Sequence, residues 1–312
     1  MARFRVHILG CGSALPNLKH NTTAQLVEVH DKFFMVDCGE GTQLQLRKSR
    51  VHFGKVNAVF ISHLHGDHCF GLMGLVSTFG LLGRTALLHI YAPKEMTELF
   101  DLQRRMFCQT FEYELVFHPL ETTRSEVVYE DKSLTVTTVP LSHRVPCCGF
   151  LFKEKPLQPH LNREMLDFYE IPRSQFNNIK QGQDWTTADG ETIPNSRLVL
   201  PADKPLSYAF CSDTRYMPDL HKLVYGVDVI YHESTYGDKD TANARKYYHS
   251  TASEAARVAS DSCAGLLLLG HYSSKYADET CLLDEACRVF PSVVLTNEMD
   301  VVDVANRCKV EE

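Results

Sequence analysis

The segment Ser62-His63-Leu64-His65-Gly66-Asp67-His68 concentrates residue types that bind metal ions. His63 and His65 are two positions apart, so their side chains point the same way in an extended chain. Asp67 and His68 follow a glycine, where the backbone can turn sharply. Four nitrogen or oxygen ligands within six residues can serve two adjacent metal ions. Imidazole and carboxylate without thiolate favour Zn²⁺, with Mn²⁺ and Fe²⁺ as alternatives.

Three later segments repeat one pattern, in which an apolar strand is followed by a small residue and then by a ligand type. They are Val136–Leu141 before Ser142 and His143, Tyr208–Cys211 before Ser212 and Asp213, and Leu266–Leu269 before Gly270 and His271. The ends of such strands gather along one edge of the sheets in an α/β protein. The sequence therefore predicts seven ligands for two metal ions, with Asp213 able to bridge them.

The elements that must position these ligands alternate between strands and helices. In the first hundred residues, strands are predicted at 4–9, 24–29, 32–36, 58–61 and 87–91, with helices at 40–48, from Asp67 and from Pro93. Residues 116–152 are β-rich. After residue 206, strands are predicted at 206–211, 227–231 and 266–269, with helices near 218–224, 251–261 and 278–289. Two β-rich halves with helices outside predict an α/β fold, a four-layer αββα sandwich.

Residues 153–200 interrupt this alternation. They contain three X-Pro turns, a polar helical stretch at 162–169 and a hairpin signal at Ala188-Asp189-Gly190. Six basic residues stand there against seven acidic ones, so the charge is nearly balanced. We therefore predict a single catalytic domain over residues 1–312 with an inserted arm at 153–200.

The composition is globular, with 44% apolar and 23% charged residues. The net charge of −7 argues against a generic nucleic-acid coat protein, which would be basic. Eleven scattered cysteines without a C-x-x-C pair predict neither a disulfide framework nor a thiolate zinc site, and favour a reducing cytoplasm. The N-terminus lacks a signal-peptide pattern, and no run of about 18 apolar residues predicts a membrane span.

The motifs, taken in order, resemble those of a known family. H-x-H-x-D-H with later His, Asp and His is similar to the pattern of the metallo-β-lactamase superfamily. The glycine-rich opening Leu9–Pro16 and the stretch Asp37–Leu44 resemble hallmarks of the ribonuclease Z family within it. So do four further motifs, Gly71–Leu75, Asp213-Thr214-Arg215, His232-Glu233-Ser234-Thr235 and His249-Ser250-Thr251. The resemblance covers nearly the whole chain, and the motifs together are highly specific.

This resemblance implies a metallo-β-lactamase fold and a zinc-dependent endoribonuclease. The enzyme would remove the 3′ trailer from precursor tRNA by attack of a metal-activated hydroxide, leaving a 3′-hydroxyl on the tRNA. Each subunit would bind two Zn²⁺ ions, one held by His63, His65 and His143 and the other by Asp67, His68 and His271, with Asp213 shared. Asp67 would also orient the nucleophile or accept its proton. A cytoplasmic homodimer is implied, in which the arm of one subunit serves the active site of the other.

The leaving alkoxide needs a proton donor, and His249 is the candidate because histidine titrates near neutrality. It stands just before Thr251-Ala252-Ser253-Glu254, a capping-box pattern that fixes a helix start. Glu233 is the candidate to orient its imidazole. For Arg215, a phosphate contact and a surface ion pair remain equally open.

Two features depart from the family pattern. The stretch at 171–178 lacks the Gly-Pro of the family's tRNA-gripping arm, and His20-Asn21 stands where the family has Arg-Asn. The latter replaces a permanent cation with a mostly neutral side chain. The alternative functions are a small-molecule phosphodiesterase or arylsulfatase on the same fold, and a non-enzymatic RNA-binding protein. The complete ligand set argues against the non-enzymatic alternative.

Overall fold

The computed structural model describes residues 4–15, 17–107 and 111–310, so Pro16 of the glycine-rich motif and Cys108 lie outside the described residues. The chain divides into two compact units. The larger comprises Met1–Glu130, Thr135–Phe152 and Leu206–Glu312, and the smaller comprises Asp131–Leu134 and Lys153–Pro205. All seven predicted ligands lie in the larger unit.

The strands are β1 (Phe4–Gly10), β2 (Ala24–Val29), β3 (Lys32–Val36), β4 (Val56–Phe60), β5 (Leu88–Ala92), β6 (Leu115–Pro119), β7 (Val127–Glu130), β8 (Leu134–Pro140), β9 (Cys148–Glu154), β10 (His160–Leu161), β11 (Trp185–Thr186), β12 (Thr192–Ile193), β13 (Val199–Leu200), β14 (Ser207–Cys211), β15 (Val229–Glu233), β16 (Leu266–Gly270), β17 (Val293–Leu295), β18 (Val301–Asp303) and β19 (Cys308–Val310).

The α-helices are α1 (Thr42–Lys48), α2 (Gly66–Cys69), α3 (Leu72–Leu81), α4 (Glu95–Met106), α5 (Arg163–Phe168), α6 (Phe176–Lys180), α7 (Asn195–Leu198), α8 (Leu220–Leu223), α9 (Thr241–Tyr247), α10 (Ala252–Asp261) and α11 (Thr280–Cys287). In the part of the chain that the structure describes, none of them is long and apolar enough to span a membrane.

Two large sheets form the larger unit. Among the described residues, the first has eight strands in the order β19-β18-β1-β2-β3-β4-β5-β6, and the second has seven in the order β17-β16-β15-β14-β9-β8-β7. Strands β3 to β6 pair in parallel, as do β14 to β17. Parallel strands are covered on both faces, which explains continuous apolar runs such as Leu266–Leu269.

The two sheets pack face to face through aromatic side chains. Phe60 of the first sheet lies with its ring centroid 5.3 Å from that of Phe150 and 5.7 Å from that of Phe152, both on β9. On the outer face of the first sheet, residues of α1, α3 and α4 join one apolar cluster with β3, β4 and β5. Helix α10 packs on β15 and β16, and α11 packs on β17. The predicted four-layer αββα sandwich is confirmed.

Local backbone geometry shifts two predicted helices. Helix α1 begins at Thr42 rather than Glu40, because Gly41 has a φ of 81° and cannot be part of a right-handed helix. The helix predicted from Asp67 is broken into α2 and α3 at Gly71. A Cβ on Gly71 would lie 2.0 Å from the carbonyl oxygen of Gly39, so the glycine allows this loop to approach the metal-ligand segment.

The smaller unit has a separate apolar core formed by Leu166, Ile171, Ile179, Ile193 and Leu198. The predicted helix at 162–169 is α5, whose start is capped by the side chain of Asn162. The hairpin signal lies between β11 and β12, where Gly190 has a φ of 86°.

Candidate active site

The seven predicted ligands meet at the ends of strands of both sheets and form two groups that share Asp213. In each group the ligand atoms lie within 4.8 Å of one another. Oδ2 of Asp213 is 3.6 Å from Nε2 of His63 and of His143. Oδ1 of Asp213 is 3.0 Å from Nε2 of His271 and 3.3 Å from Nε2 of His68. The first group contains His63, His65, His143 and Asp213, and the second contains Asp67, His68, Asp213 and His271.

The hydrogen bonds behind the histidines fix which ring nitrogen faces the cluster. A backbone carbonyl and a carboxylate can only accept, so His143 and His68 donate from Nδ1. The hydroxyls of Ser62 and Thr235 already donate to carboxylates, so they accept from His63 and His271. In each case Nε2 keeps its lone pair for a metal. The pairs are His143 with Tyr248 O at 3.0 Å, His68 with Asp37 Oδ2 at 2.7 Å, His63 with Ser62 Oγ at 3.0 Å and His271 with Thr235 Oγ1 at 2.9 Å.

The donor set fits a pair of metal ions. Nε2 of His68 is buried, with Oδ2 of Asp67 and Oδ1 of Asp213 each 3.3 Å away, yet it forms no well-aligned hydrogen bond among the described residues. A cation between these atoms would satisfy all three. Burial alone would lower the pKa of His68. The carboxylates of Asp213 and Asp67 outweigh this effect and hold the pKa well above its usual range. This concentration of buried negative charge favours a cation. Five imidazoles and two carboxylates without a thiolate suit Zn²⁺.

Asp37 belongs to the candidate site but was not predicted from the sequence. It is fully buried, has a φ of 57°, and accepts hydrogen bonds from the backbone N–H and the hydroxyl of Ser62 as well as from His68. It therefore positions one ligand directly and a second, His63, through Ser62. A signal was present, because Asp37 follows strand β3 just as Asp213 follows β14.

His249 and Glu233 form a hydrogen-bonded pair beside both ligand groups. Oε1 of Glu233 accepts from Nδ1 of His249 at 2.7 Å. The His249 ring centroid is 5.2 Å from that of His143 and 5.4 Å from that of His271, one ligand from each group. Burial lowers the pKa of His249, but the Glu233 carboxylate outweighs it and raises the pKa to about 9.

The loop that carries His249 is firmly held. The predicted capping box is present, with Thr251 and Glu254 bonded to each other's backbone N–H groups at the start of α10. Glu233 is fully buried and also accepts from the backbone N–H of Thr214, beside Asp213. Thr235 links Glu233 to His271 through its hydroxyl, a role that was not predicted from the sequence.

The sequence predicts a mostly neutral His20 where the family has arginine, and the structure differs from this prediction. It is buried, with Nδ1 3.0 Å from Oε2 of Glu298 and Nε2 3.3 Å from Oε1 of Glu279. Burial lowers the pKa of His20, but the hydrogen bond to Glu298 and both carboxylates raise it above the usual range. The residue belongs to an internal ion-pair network.

The ligand groups open onto a cavity of about 620 Å³. His65, Asp67, Asp213 and His271 line it together with His249, so His249 and both ligand groups face one space. Exposed Leu15 and Phe70 are also among its lining residues.

Comparisons with known proteins identify the family. Residues 4–158, just under half of the chain, match the family model described as "Anti-Pycsar protein Apyc1". Over 298 residues the chain is 53% identical to the Ribonuclease Z of Bacteroides fragilis, covering 96% of this chain and 98% of that protein. The chain belongs to the ribonuclease Z family. It is also 46% identical to the Ribonuclease Z of Porphyromonas gingivalis, covering 97% of this chain and all of that protein.

Solved structures agree on the fold. The short form of human tRNase Z superposes with a TM-score of 0.70 at 23% identity, covering 96% of this chain and 99% of that one. The metallo-β-lactamase fold protein YhfI from Bacillus subtilis gives a TM-score of 0.67 at 19% identity, with the same coverage. The predicted metallo-β-lactamase fold is confirmed. As a ribonuclease Z, the chain is a hydrolytic endoribonuclease with a metal cofactor, and the two ligand groups are its candidate sites.

Replacing Asp37 by asparagine tests its role behind His68. The carboxylate would no longer hold the Nδ1 proton, so we expect metal affinity to fall by about 10- to 100-fold. Competition with a chromophoric chelator measures the affinity. The control is Asp101→Asn, which removes one exposed carboxylate on α4 and should leave the affinity unchanged. Equal affinities of Asp37→Asn and the control would contradict the assignment.

Proposed function

We propose that this ribonuclease Z is the endoribonuclease that removes the 3′ trailer from precursor tRNA, with its chemistry at the two ligand groups. The relatives at about 50% identity over nearly the full chain support tRNA 3′ processing, and the small-molecule alternative is not favoured. The observation that carries the proposal is that Asp213 faces both ligand groups while the His249–Glu233 pair lies beside them.

His63, His65 and His143 would hold one Zn²⁺ and Asp67, His68 and His271 the other, with one oxygen of Asp213 directed to each. When bound, the ions polarise a phosphate oxygen and lower the pKa of water at neutral pH. Asp67 faces the cavity and is the residue that orients the nucleophile or accepts its proton. The support is the convergence of the lone pairs, together with the buried Nε2 of His68, which forms no well-aligned hydrogen bond among the described residues.

His249 would donate the proton that the leaving 3′ oxygen of the tRNA needs. Its Nδ1 is bonded to Glu233, so Nε2 is the nitrogen that can reach a substrate. The Glu233 carboxylate raises the pKa of His249 and so favours the protonated imidazole before cleavage. Glu233 does not face the cavity and acts as a positioning residue, because its hydrogen bonds fix the ring and favour the imidazolium.

Metal content and product mapping test the reaction together. Purified protein should cut a 3′-extended tRNA after the discriminator nucleotide, leaving a 3′-hydroxyl, and a chelator should abolish cleavage until Zn²⁺ is restored. Mass spectrometry of bound metal should give two ions per wild-type chain, about one for His143→Ala and fewer than one for Asp213→Ala. Cleavage that persists in chelator, or equal metal loss in both variants, would contradict the proposal.

Substrates with different leaving groups test His249. His249→Ala should slow precursor-tRNA cleavage by about 10²- to 10⁴-fold, because an alkoxide leaves poorly without a proton. Hydrolysis of bis(p-nitrophenyl) phosphate should fall far less, since nitrophenolate needs no proton. Glu233→Gln removes the carboxylate that raises the pKa of His249, so the alkaline limb of kcat should move to lower pH. Equal losses on both substrates would argue against the acid role.

The smaller unit is proposed as the predicted arm, an RNA-binding exosite. Although residues 153–200 are nearly balanced in charge, the fold gathers basic side chains around one cavity of about 300 Å³. Arg163, Arg173 and Lys180 line it with His160, against the single carboxylate of Asp167 among its described lining residues. This surface can bind phosphates without a Gly-Pro motif.

Charge removal within the smaller unit tests the exosite. Arg163→Gln combined with Arg173→Gln should raise the KM for precursor tRNA about 10- to 100-fold, because each lost phosphate contact weakens binding. Hydrolysis of bis(p-nitrophenyl) phosphate should not change, since that substrate is too small to need an exosite. The control, Lys153→Gln, keeps the basic cavity intact and should process tRNA normally. An unchanged KM in the double variant would refute the exosite.

The family resemblance further supports a homodimer in which each arm serves the other subunit, and sedimentation at micromolar concentration measures this. We also propose a cytoplasmic location. The described cysteines are free thiols, six of them buried, as expected for a protein that works in a reducing compartment.

A further inference from the structure

A second cavity, of about 670 Å³, adjoins His249. Ser142, Arg215, Tyr216 and Arg245 line it, and His249 is shared with the cavity that contains the ligand groups. None of the seven ligands lines the second cavity. His249 is therefore common to the cavity that contains the metal ligands and to a separate cavity lined by two arginines.

Two arginines and two carboxylates line this cavity, and the arginines are not paired with the carboxylates. Both arginines are exposed, and within the described residues neither guanidinium forms an ion pair. The guanidinium of Arg215 instead lies 5.5 Å from the ring centroid of Tyr248. The two carboxylates that line the cavity have other partners, Asp219 with Lys222 at 2.7 Å and Glu254 with the backbone N–H of Thr251 at 2.9 Å.

The position of Arg215 is fixed by the loop of the active site. Its backbone N–H donates to the carbonyl of Ser142 at 2.9 Å, and its chain neighbour Thr214 donates to Glu233. Arg215 is thus two residues from the shared ligand Asp213, and it lines the second cavity but not the first. Of the two alternatives left open by the sequence, the surface ion pair is not formed by Arg215 within the described residues, and the phosphate contact is the one we develop here.

The proposed cleavage determines which part of the RNA would occupy each of the two cavities. In the proposed reaction, the scissile phosphate would lie at the ligand groups and its 3′ oxygen would face His249, which would protonate it. This oxygen belongs to the last nucleotide of the tRNA, and the cavity that shares His249 with the ligand groups is the space this nucleotide would enter. The trailer remains attached to the phosphate and stays on the side of the first cavity.

Resting on the proposed function, we propose that Arg215 and Arg245 bind the phosphate one nucleotide 5′ of the scissile phosphate. They would hold the tRNA side of the cut and fix the direction in which the strand crosses the active site. Guanidinium groups suit this role, since their planar donors match phosphate oxygens. Contact with a backbone phosphate carries no base preference, as tRNAs with different discriminator nucleotides require.

Two 3′-extended tRNAs, each with one neutral methylphosphonate, test the direction. One carries it one nucleotide 5′ of the cut, and the other one nucleotide 3′ of the cut. Arg215→Gln combined with Arg245→Gln should raise the KM of the natural substrate about 10- to 100-fold and reduce the slope of log KM against log salt by about 0.7 per lost contact. The melting temperature and bound metal establish that the variant is folded.

Coupling between enzyme and substrate changes identifies the contact. With the wild type, the 5′ methylphosphonate should raise the KM about as much as the two arginine substitutions do. With the double variant, the same methylphosphonate should raise the KM little further, because the contact is already lost. The 3′ methylphosphonate should add its full cost in the double variant. Arg144→Gln, which removes a cation lining the first cavity, should not couple to the 5′ substitution. Arg104→Gln combined with Arg124→Gln removes two exposed charges elsewhere and should leave the KM unchanged.

Coupling to the 3′ substitution instead would overturn the direction, and a double variant that behaves like the Arg104 and Arg124 control would overturn the contact. Both results would leave the proposed function intact if the wild type still cuts after the discriminator nucleotide. A wild type that does not cut 3′-extended tRNA would overturn the proposed function, and this inference with it.

Discussion

An imidazole offers the lone pair of Nε2 only while Nδ1 keeps its proton, and the structure of this site depends on that constraint. Four histidines meet it by donating to acceptors from different segments of the chain. Two of the acceptors, Asp37 and the carbonyl of Tyr248, belong to residues with φ values of 57° and 59°. Such backbone costs on the order of 1 kcal/mol or more per residue, and the surrounding packing must sustain it. The acceptors are thus as necessary as the ligands that they orient.

Charge in this protein is organised locally. The sum over the chain is −7, yet buried carboxylates at the ligand groups would face divalent cations that the sum omits. Exposed basic side chains lie over aromatic rings near His249. Arg144 and Lys246 lie over Tyr247, and Arg215 lies over Tyr248. Negative charge elsewhere weakens non-specific adhesion to RNA. Selectivity for one substrate is favoured when attraction is confined to the place where it is used.

Much of the fold and the ligand set could be predicted from the sequence, because apolar runs that end in a ligand type mark strand ends at one edge of the sheets. Strands β2 and β3 have the predicted bounds, and all seven ligands converge. The roles of Asp37 and Thr235 were not predicted, because they depend on hydrogen bonds between segments that are distant in the sequence. The pairing of β18 with β1 was also missed, since a three-residue strand has too little pattern to show. The ion pair of His20 could not be predicted from the sequence, because its partner Glu298 is 278 residues away.

The pairing of β1 with β18 has a consequence for synthesis on the ribosome. The first strand to emerge stays without one of its two neighbours until residues 301–303 follow it. The first ligand group is likewise incomplete before Asp213 emerges and the second before His271. A ribosome adds about 5–20 residues per second, so β1 waits many seconds with an open, apolar edge. Closure of the first sheet therefore follows the emergence of residues 301–303, and metal loading of the second group follows that of His271, so the unpaired edge of β1 is exposed to aggregation until then.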